Sequence, residues 1–343
     1  MIGLCKTAAG VGHLELCEFP RPEAGDADVL IRVEAAGICG SDLHILNWDT
    51  KVAMKPPVII GHEFSGTIAA AGRGVKGLRA GDRVTAEPTY SVCGWCRYCR
   101  SGFYNLCAER QVLGFAVNGA FAELVRVPAS RVHSLPDSVS FRAAAMTEPL
   151  ACCVHGLYEL TGLTADEVAV VSGPGTIGLL CLQVLKAAGV RVILVGTEVD
   201  ARRLELGREL GADHTIDLGE ASALDKVLTL TDGNGADLVV ECSGAAAAAD
   251  LGLQLVRKRG KYTQMGMFGK PVSLDFERIA YKEIQVVGSF AQKWSAWKRA
   301  LSLMGRQRVR LEPLVSDVLP LADWEAGFDR FSRKLGLKVI LTP

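Results

Sequence analysis

EVAVVSGPGTIGLLCLQVLKAAG, residues 167–189, decides how the central part of this chain folds. Four apolar residues, Val168 to Val171, lead into Gly173-Pro174-Gly175-Thr176-Ile177-Gly178, and a periodic apolar pattern follows. An apolar run, a glycine turn and a helical period are the strand, turn and helix of a βαβ unit. In that context G-x-G-x-x-G is a dinucleotide fingerprint. Gly173 and Gly175 allow a tight turn and close backbone approach, and Gly178 lets helix pack on strand. Thr176 and Ile177 open the helix, whose free N–H groups face a pyrophosphate. Further on, Glu198 follows the second apolar run, VRVILVG, where a carboxylate accepts from the adenosine ribose hydroxyls. A carboxylate there repels a 2′-phosphate, so NAD is expected ahead of NADP. Arg202 and Arg203 close behind it, with small Gly196 and Thr197, leave room for NADP use.

Outward from this turn, strands and helical stretches alternate through residues 152–286, ending in ADLVVECSG, a helix over about 245–257, and GKYTQMG. Such alternation predicts a doubly wound α/β domain with a parallel sheet, the Rossmann arrangement. Residues 1–151 read differently, as short β-runs such as VLIRVEAAGI and FAELVRV broken by Gly and Pro, which suits a compact, partly open β-barrel. Residues 287–343 hold a helical stretch, QKWSAWKRALSLMG, and a last strand-like LKVILTP, and are expected to rejoin the first domain.

The 343 residues exceed the size at which one core stops growing, so two domains are expected. Lys plus Arg equals Asp plus Glu at 38 each, which gives no basic excess for nucleic acid and no acidic tail. No stretch approaches the apolar length of a membrane span, and the first residues lack a signal-peptide pattern, so a cytoplasmic protein is expected.

Eleven cysteines are many for such a chain. Cys5, Cys17, Cys152, Cys153, Cys181 and Cys242 lie in apolar surroundings and read as packing residues. Cys93, Cys96, Cys99 and Cys107, in a lobe over residues 90–110, differ: four thiolates in one short loop can close a tetrahedral shell around Zn²⁺ with no open position, a structural site. Disulfides are disfavoured in a reducing compartment. A nucleic-acid ribbon, to which Arg97, Arg100 and Arg110 would contribute, is disfavoured by overall neutrality.

Cys39 in GICGSDLH, His62 and Glu63 in GHEFSG, and Glu148 in TEPLACC form a second, dispersed set. With the four-Cys lobe, the GPGTIG turn and the closing KVILTP, these segments resemble, in the same order and over essentially the whole chain, the zinc-containing medium-chain dehydrogenases. The likeness is to the sorbitol (iditol), butanediol and threonine dehydrogenase branch. It implies a GroES-like catalytic domain, NAD as hydride acceptor, and a catalytic zinc on Cys39, His62, Glu63 and water, with Glu148 ligating directly or through that water. Two zinc ions per chain are then expected. Mixed S, N and O ligands suit an open catalytic site.

The same resemblance places Ser41 beside the substrate oxygen and His44 further along the proton path, a role an imidazole can fill near neutral pH. Trp48 is expected to wall the substrate pocket, and His155 is given no role. The expected reaction is oxidation of a secondary alcohol, a polyol first and butanediol or L-threonine next. HILNWD looks like the threonine branch, whereas EPLACCVHG looks like the polyol branch, and Glu148-Pro149 stands where threonine enzymes carry Asp-Pro. A non-catalytic cofactor-binding protein of this fold would be expected to lack part of the set Cys39, Ser41, His44, His62 and Glu63, and all five are present. A homodimer or homotetramer is implied by resemblance alone.

Overall fold

Strand Val168–Ser172 is buried along its whole length, as a strand in a parallel sheet covered on both faces must be. The computed structural model describes residues 1–343 and places this strand inside a six-stranded, all-parallel sheet. From one edge the strands run His214–Asp217, Arg191–Gly196, Val168–Ser172, Ala236–Glu241, Val256–Gln264 and Gln285–Gly288. Val171 pairs with Leu194 on one side and Val240 on the other. Strand order therefore reverses beside Val168–Ser172, the doubly wound pattern, and ligands of open α/β sheets bind at the carboxyl ends around that reversal. Helices Thr176–Ala187, Ala201–Glu209, Ala223–Leu230 and Ala246–Leu255 connect the strands. The core between includes Val170, Ile193, Val227, Val239 and Leu253.

The fifth strand starts at Val256, earlier than the GKYTQMG pattern alone indicates. Val256 pairs with Ala236 ahead of a register shift, and the ladder resumes at Leu238 opposite Lys261. The strand thus spans an irregularity that alternation does not reveal.

The chain forms two compact units. Pro149–Ala291 with Arg306–Arg310 form the unit just described, and Met1–Glu148, Gln292–Gly305 and Leu311–Pro343 form the other. In this other unit the strands Val132–Ser134, Arg83–Ala86, Glu63–Ala71, Asp28–Gly37, Lys338–Thr342 and Val315–Pro320 lie side by side, and Leu124–Pro128 also pairs with Asp28–Gly37. The C-terminal strand is inserted between early and late segments, with Ile340 opposite Gly37 and Leu341 opposite Ala36. Its core gathers Leu4, Ile31, Phe64, Phe121, Phe328 and Val339. The four-Cys lobe emerges from a short antiparallel pair, Thr89–Ser91 with Gln111–Val112. Of the six scattered cysteines, Cys5, Cys153 and Cys181 are buried, while Cys17, Cys152 and Cys242 are half-buried at the margins of packed elements. No helix is long and apolar enough to cross a membrane.

Candidate active site and metal centres

Register brings three of the four dispersed residues together. Gly37, near the end of strand Asp28–Gly37, pairs directly with Glu63, the first residue of Glu63–Ala71. A side chain at Gly37 would put its Cβ 2.8 Å from Glu63 Oε2, so glycine makes room for an inward carboxylate. Two residues beyond Gly37, Cys39 stands in extended conformation at the N-cap of helix Gly40–Asn47. One ligand atom each from Cys39, His62 and Glu63 lies within 4.8 Å of the others; His62 and Glu63 are buried and Cys39 is half-buried.

Acidic groups crowd this cluster. Asp42, fully buried, accepts the Cys39 backbone N–H at 2.8 Å, and its other oxygen lies 3.6 Å from His62 Nδ1. Burial opposes a charged imidazole, but Asp42, Cys39 and Glu148 outweigh it and push His62 up to about 10. Burial and the neighbouring Glu63 push the Cys39 thiol above its ordinary value. Glu63 Oε1 and His62 Nδ1 have no hydrogen-bond partner. A soft thiol, an imidazole and an unpartnered buried carboxylate oxygen, in anionic surroundings, are a donor set that fits Zn²⁺. Ligation through His62 Nε2 would leave its proton on Nδ1, facing Asp42, the carboxylate–histidine arrangement common behind zinc.

Glu148 lies outside the 4.8 Å group. It is half-buried near the start of helix Thr147–Val154, and Oε1 accepts from Gln292 Nε2 at 2.8 Å. Burial raises its proton affinity against the pull of His62. Ser41 Oγ and His62 Nε2 are 3.2 Å apart. His44 turns elsewhere, with Nδ1 2.8 Å from Asp49 Oδ1 and a 43% exposed side chain. Trp48 ends the helix in a left-handed conformation, φ 57°, and the buried Lys6 ammonium lies 5.1 Å from its ring centre. His155 is buried and bonded through Nδ1 to Glu159 Oε2 at 2.6 Å.

In the lobe, Cys93, Cys96, Cys99 and Cys107 sulfurs all lie within 4.8 Å of one another, and Cys93 Sγ is 3.9 Å from Cys99 Sγ and 3.6 Å from Cys107 Sγ. A tetrahedron with Zn–S bonds of about 2.3 Å has edges of about 3.8 Å, so the lobe is spaced for the ion.

At the glycine turn, Gly173 has φ 95°, and a Cβ there would meet Ser243 Cβ at 2.8 Å. A Cβ on Gly178 would come 1.9 Å from Gly173 O, which is why the third glycine is required. Gly175 caps helix Thr176–Ala187, which Thr176 and Ile177 begin. Glu198 is exposed just past strand Arg191–Gly196. Arg203 is held 3.4 Å from Asp200 Oδ1, which directs its guanidinium back onto its own turn.

Comparison with known proteins gives the family. The alcohol dehydrogenase GroES-like domain matches residues 25–137, and the zinc-binding dehydrogenase family matches residues 176–306. A sorbitol dehydrogenase of Halalkalibacterium halodurans is 45% identical over 100% of this chain and 99% of its own length. The chain belongs to the zinc-containing medium-chain dehydrogenases. A D-arabitol-phosphate dehydrogenase of Enterococcus avium is 40% identical over 99% of this chain and 97% of its own. Among solved structures, a zinc-binding dehydrogenase of Sinorhizobium meliloti bound to NADP superposes with a TM-score of 0.91 at 30% identity, covering 100% of this chain and 99% of that one.

Three residues of this dehydrogenase escaped the sequence reading. Asp42 carried a local signal, an acid at the third position of a helix beginning after Cys39. Lys338, at the head of the apolar run KVIL, is buried and donates to Glu63 Oε2 at 2.6 Å and Ile38 O at 2.9 Å. Its charge within an apolar strand was the only hint. Gln292 carried none.

Proposed function

We propose that this dehydrogenase oxidises a neutral polyol at a secondary carbon to the ketone, with NAD as hydride acceptor. One zinc would be held by Cys39, His62 and Glu63 with Glu148 beside it, and a second by Cys93, Cys96, Cys99 and Cys107. The observation that carries the reading is the convergence of a thiol, an imidazole and a carboxylate within 4.8 Å in a protein of this family. Zinc bound there supplies a Lewis acid that eases loss of the substrate hydroxyl proton, and nicotinamide dinucleotide supplies the hydride acceptor.

The chain's own groups do the rest. Asp42 orients His62 from behind, and Lys338 fixes Glu63 by one oxygen while leaving the other unpartnered. Ser41, within reach of the cluster, accepts the substrate proton and passes it on; His44, oriented by Asp49, carries it toward solvent. Trp48 walls the pocket. Thr176, Ile177 and the glycines hold the pyrophosphate, and Glu198 rather than Arg203 reads the ribose, which supports NAD. A cytoplasmic homodimer or homotetramer completes the proposal.

Likeness to a sorbitol dehydrogenase and to an arabitol-phosphate dehydrogenase supports a polyol carbon chain. The charge around the site supports a neutral one. Glu63 is paired with Lys338, so the charge that disfavours an added anion is that of half-buried Glu148, and burying an ion without a counter-charge costs several kcal/mol. The test is a panel of sorbitol, xylitol, butane-2,3-diol, L-threonine and a sugar-alcohol phosphate, followed by NADH absorbance. A neutral polyol is expected to give the highest kcat/KM. L-threonine or the phosphate as best substrate would overturn the reading.

A further inference from the structure

Gln292 is completely buried, and only half of its amide is used. Nε2 donates to Glu148 Oε1 at 2.8 Å, whereas Oε1 has no hydrogen-bond partner. The amide thus turns its N–H toward Glu148 and its carbonyl away. A buried carbonyl without a donor is costly, and native proteins supply one, as water or as a ligand hydroxyl.

Nor can the side chain easily swing aside, because the backbone beyond it is anchored. Lys293 Nζ lies 4.1 Å from the Phe103 ring centre, the Trp294 N–H donates to Tyr104 Oη at 2.6 Å, and Tyr104 Oη donates to the fully buried Glu87 Oε2 at 2.6 Å. A fixed, desolvated acceptor one hydrogen bond from Glu148 is preorganised for a donor brought by the substrate.

We propose that Gln292 is a specificity-determining residue whose Oε1 accepts a hydrogen bond from a hydroxyl on the carbon next to the one oxidised. The inference rests on the reading that Glu148 stands beside the reacting centre and that the substrate is a polyol. A vicinal diol satisfies the carbonyl; a monohydric alcohol leaves it unpaired. Sites built to bond a substrate hydroxyl discriminate against analogues lacking it far more strongly than apolar pockets discriminate by size.

The experiment measures kcat/KM of the zinc-loaded, full-length enzyme for butane-2,3-diol and butan-2-ol in wild type, Gln292→Leu and Gln292→Lys. Lysine still donates to Glu148 but offers no acceptor, so it separates loss of the carbonyl from misplacement of Glu148. The diol-to-monohydric ratio is expected to fall about tenfold or more in both variants. Should the leucine variant fail to fold, as judged by its thermal transition, the lysine variant decides alone. A ratio within about twofold of wild type in the lysine variant overturns the inference, and so does a fall confined to Gln292→Leu, which would assign Gln292 to holding Glu148 only. A wild type that oxidises L-threonine but no diol or polyol overturns the proposed function and this inference with it. Oxidation of the diol with an unchanged ratio overturns the inference alone.

Discussion

Lys338 and Glu63 are almost inaccessible, at 3% and 1% side-chain exposure, and each charge is tolerated because the other is there. Burial opposes the ammonium, yet Glu63 and Cys39 outweigh it and hold Lys338 above its ordinary value. Because the folded value is raised, the pair's contribution is present below the ordinary lysine value, about 10.4, and is lost only as pH rises through the folded one. Removing one partner of such a pair is more damaging than replacing both. Lys338→Met is expected to destabilise the enzyme by about 3–5 kcal/mol, whereas Lys338→Met with Glu63→Gln should recover part of that loss. Urea denaturation reads both. An unchanged midpoint in the single variant would show that Glu63 is neutral or solvated. The contact joins residues 275 apart in sequence, so neither residue's neighbourhood announces it.

The four-Cys lobe is tied to the rest of its unit through Tyr104 and Glu87 but has little packing around its thiols. Its only α-helical turn, Arg97–Arg100, contains no buried residue, and Trp95, Tyr98 and Leu106 are exposed. Apolar packing therefore contributes little, and zinc held there, as proposed, would turn its binding free energy into folding free energy. Cys99→Ser is expected to lower zinc from two to one per chain, measured by elemental analysis, and to depress the thermal midpoint by several degrees. Retention of both ions at an unchanged midpoint would refute a structural role. Spacing alone makes this element legible: C-x2-C-x2-C-x7-C is a local pattern, and four sulfurs on one short loop can meet without help from distant segments. The same holds for the glycine turn. Its third glycine is demanded by Gly173 O, five residues back, a contact that lies within the motif.

At the scale of the whole molecule, the proposed catalytic ligands and the dinucleotide turn belong to different units. His62→Ala is thus expected to abolish turnover while the dissociation constant for NADH, read by fluorescence, stays within about threefold, a shift of about 0.7 kcal/mol. Loss of NADH binding together with turnover would tie the turn to His62 and refute that independence. The sequence by itself determined the α/β class, the parallel sheet, the glycine turn and the four-thiol lobe. Each rests on a period, a turn preference or a spacing, and these are short-range properties of the chain. Only the tertiary structure decided which neighbours each reactive group has: Glu63 beside Cys39 by the pairing of Gly37 with Glu63, Lys338 behind Glu63 by insertion of the last strand, and Gln292 against Glu148 across 144 residues. Such contacts are held by the packed core rather than by local preference, because closing loops of that length costs entropy that no single hydrogen bond offsets.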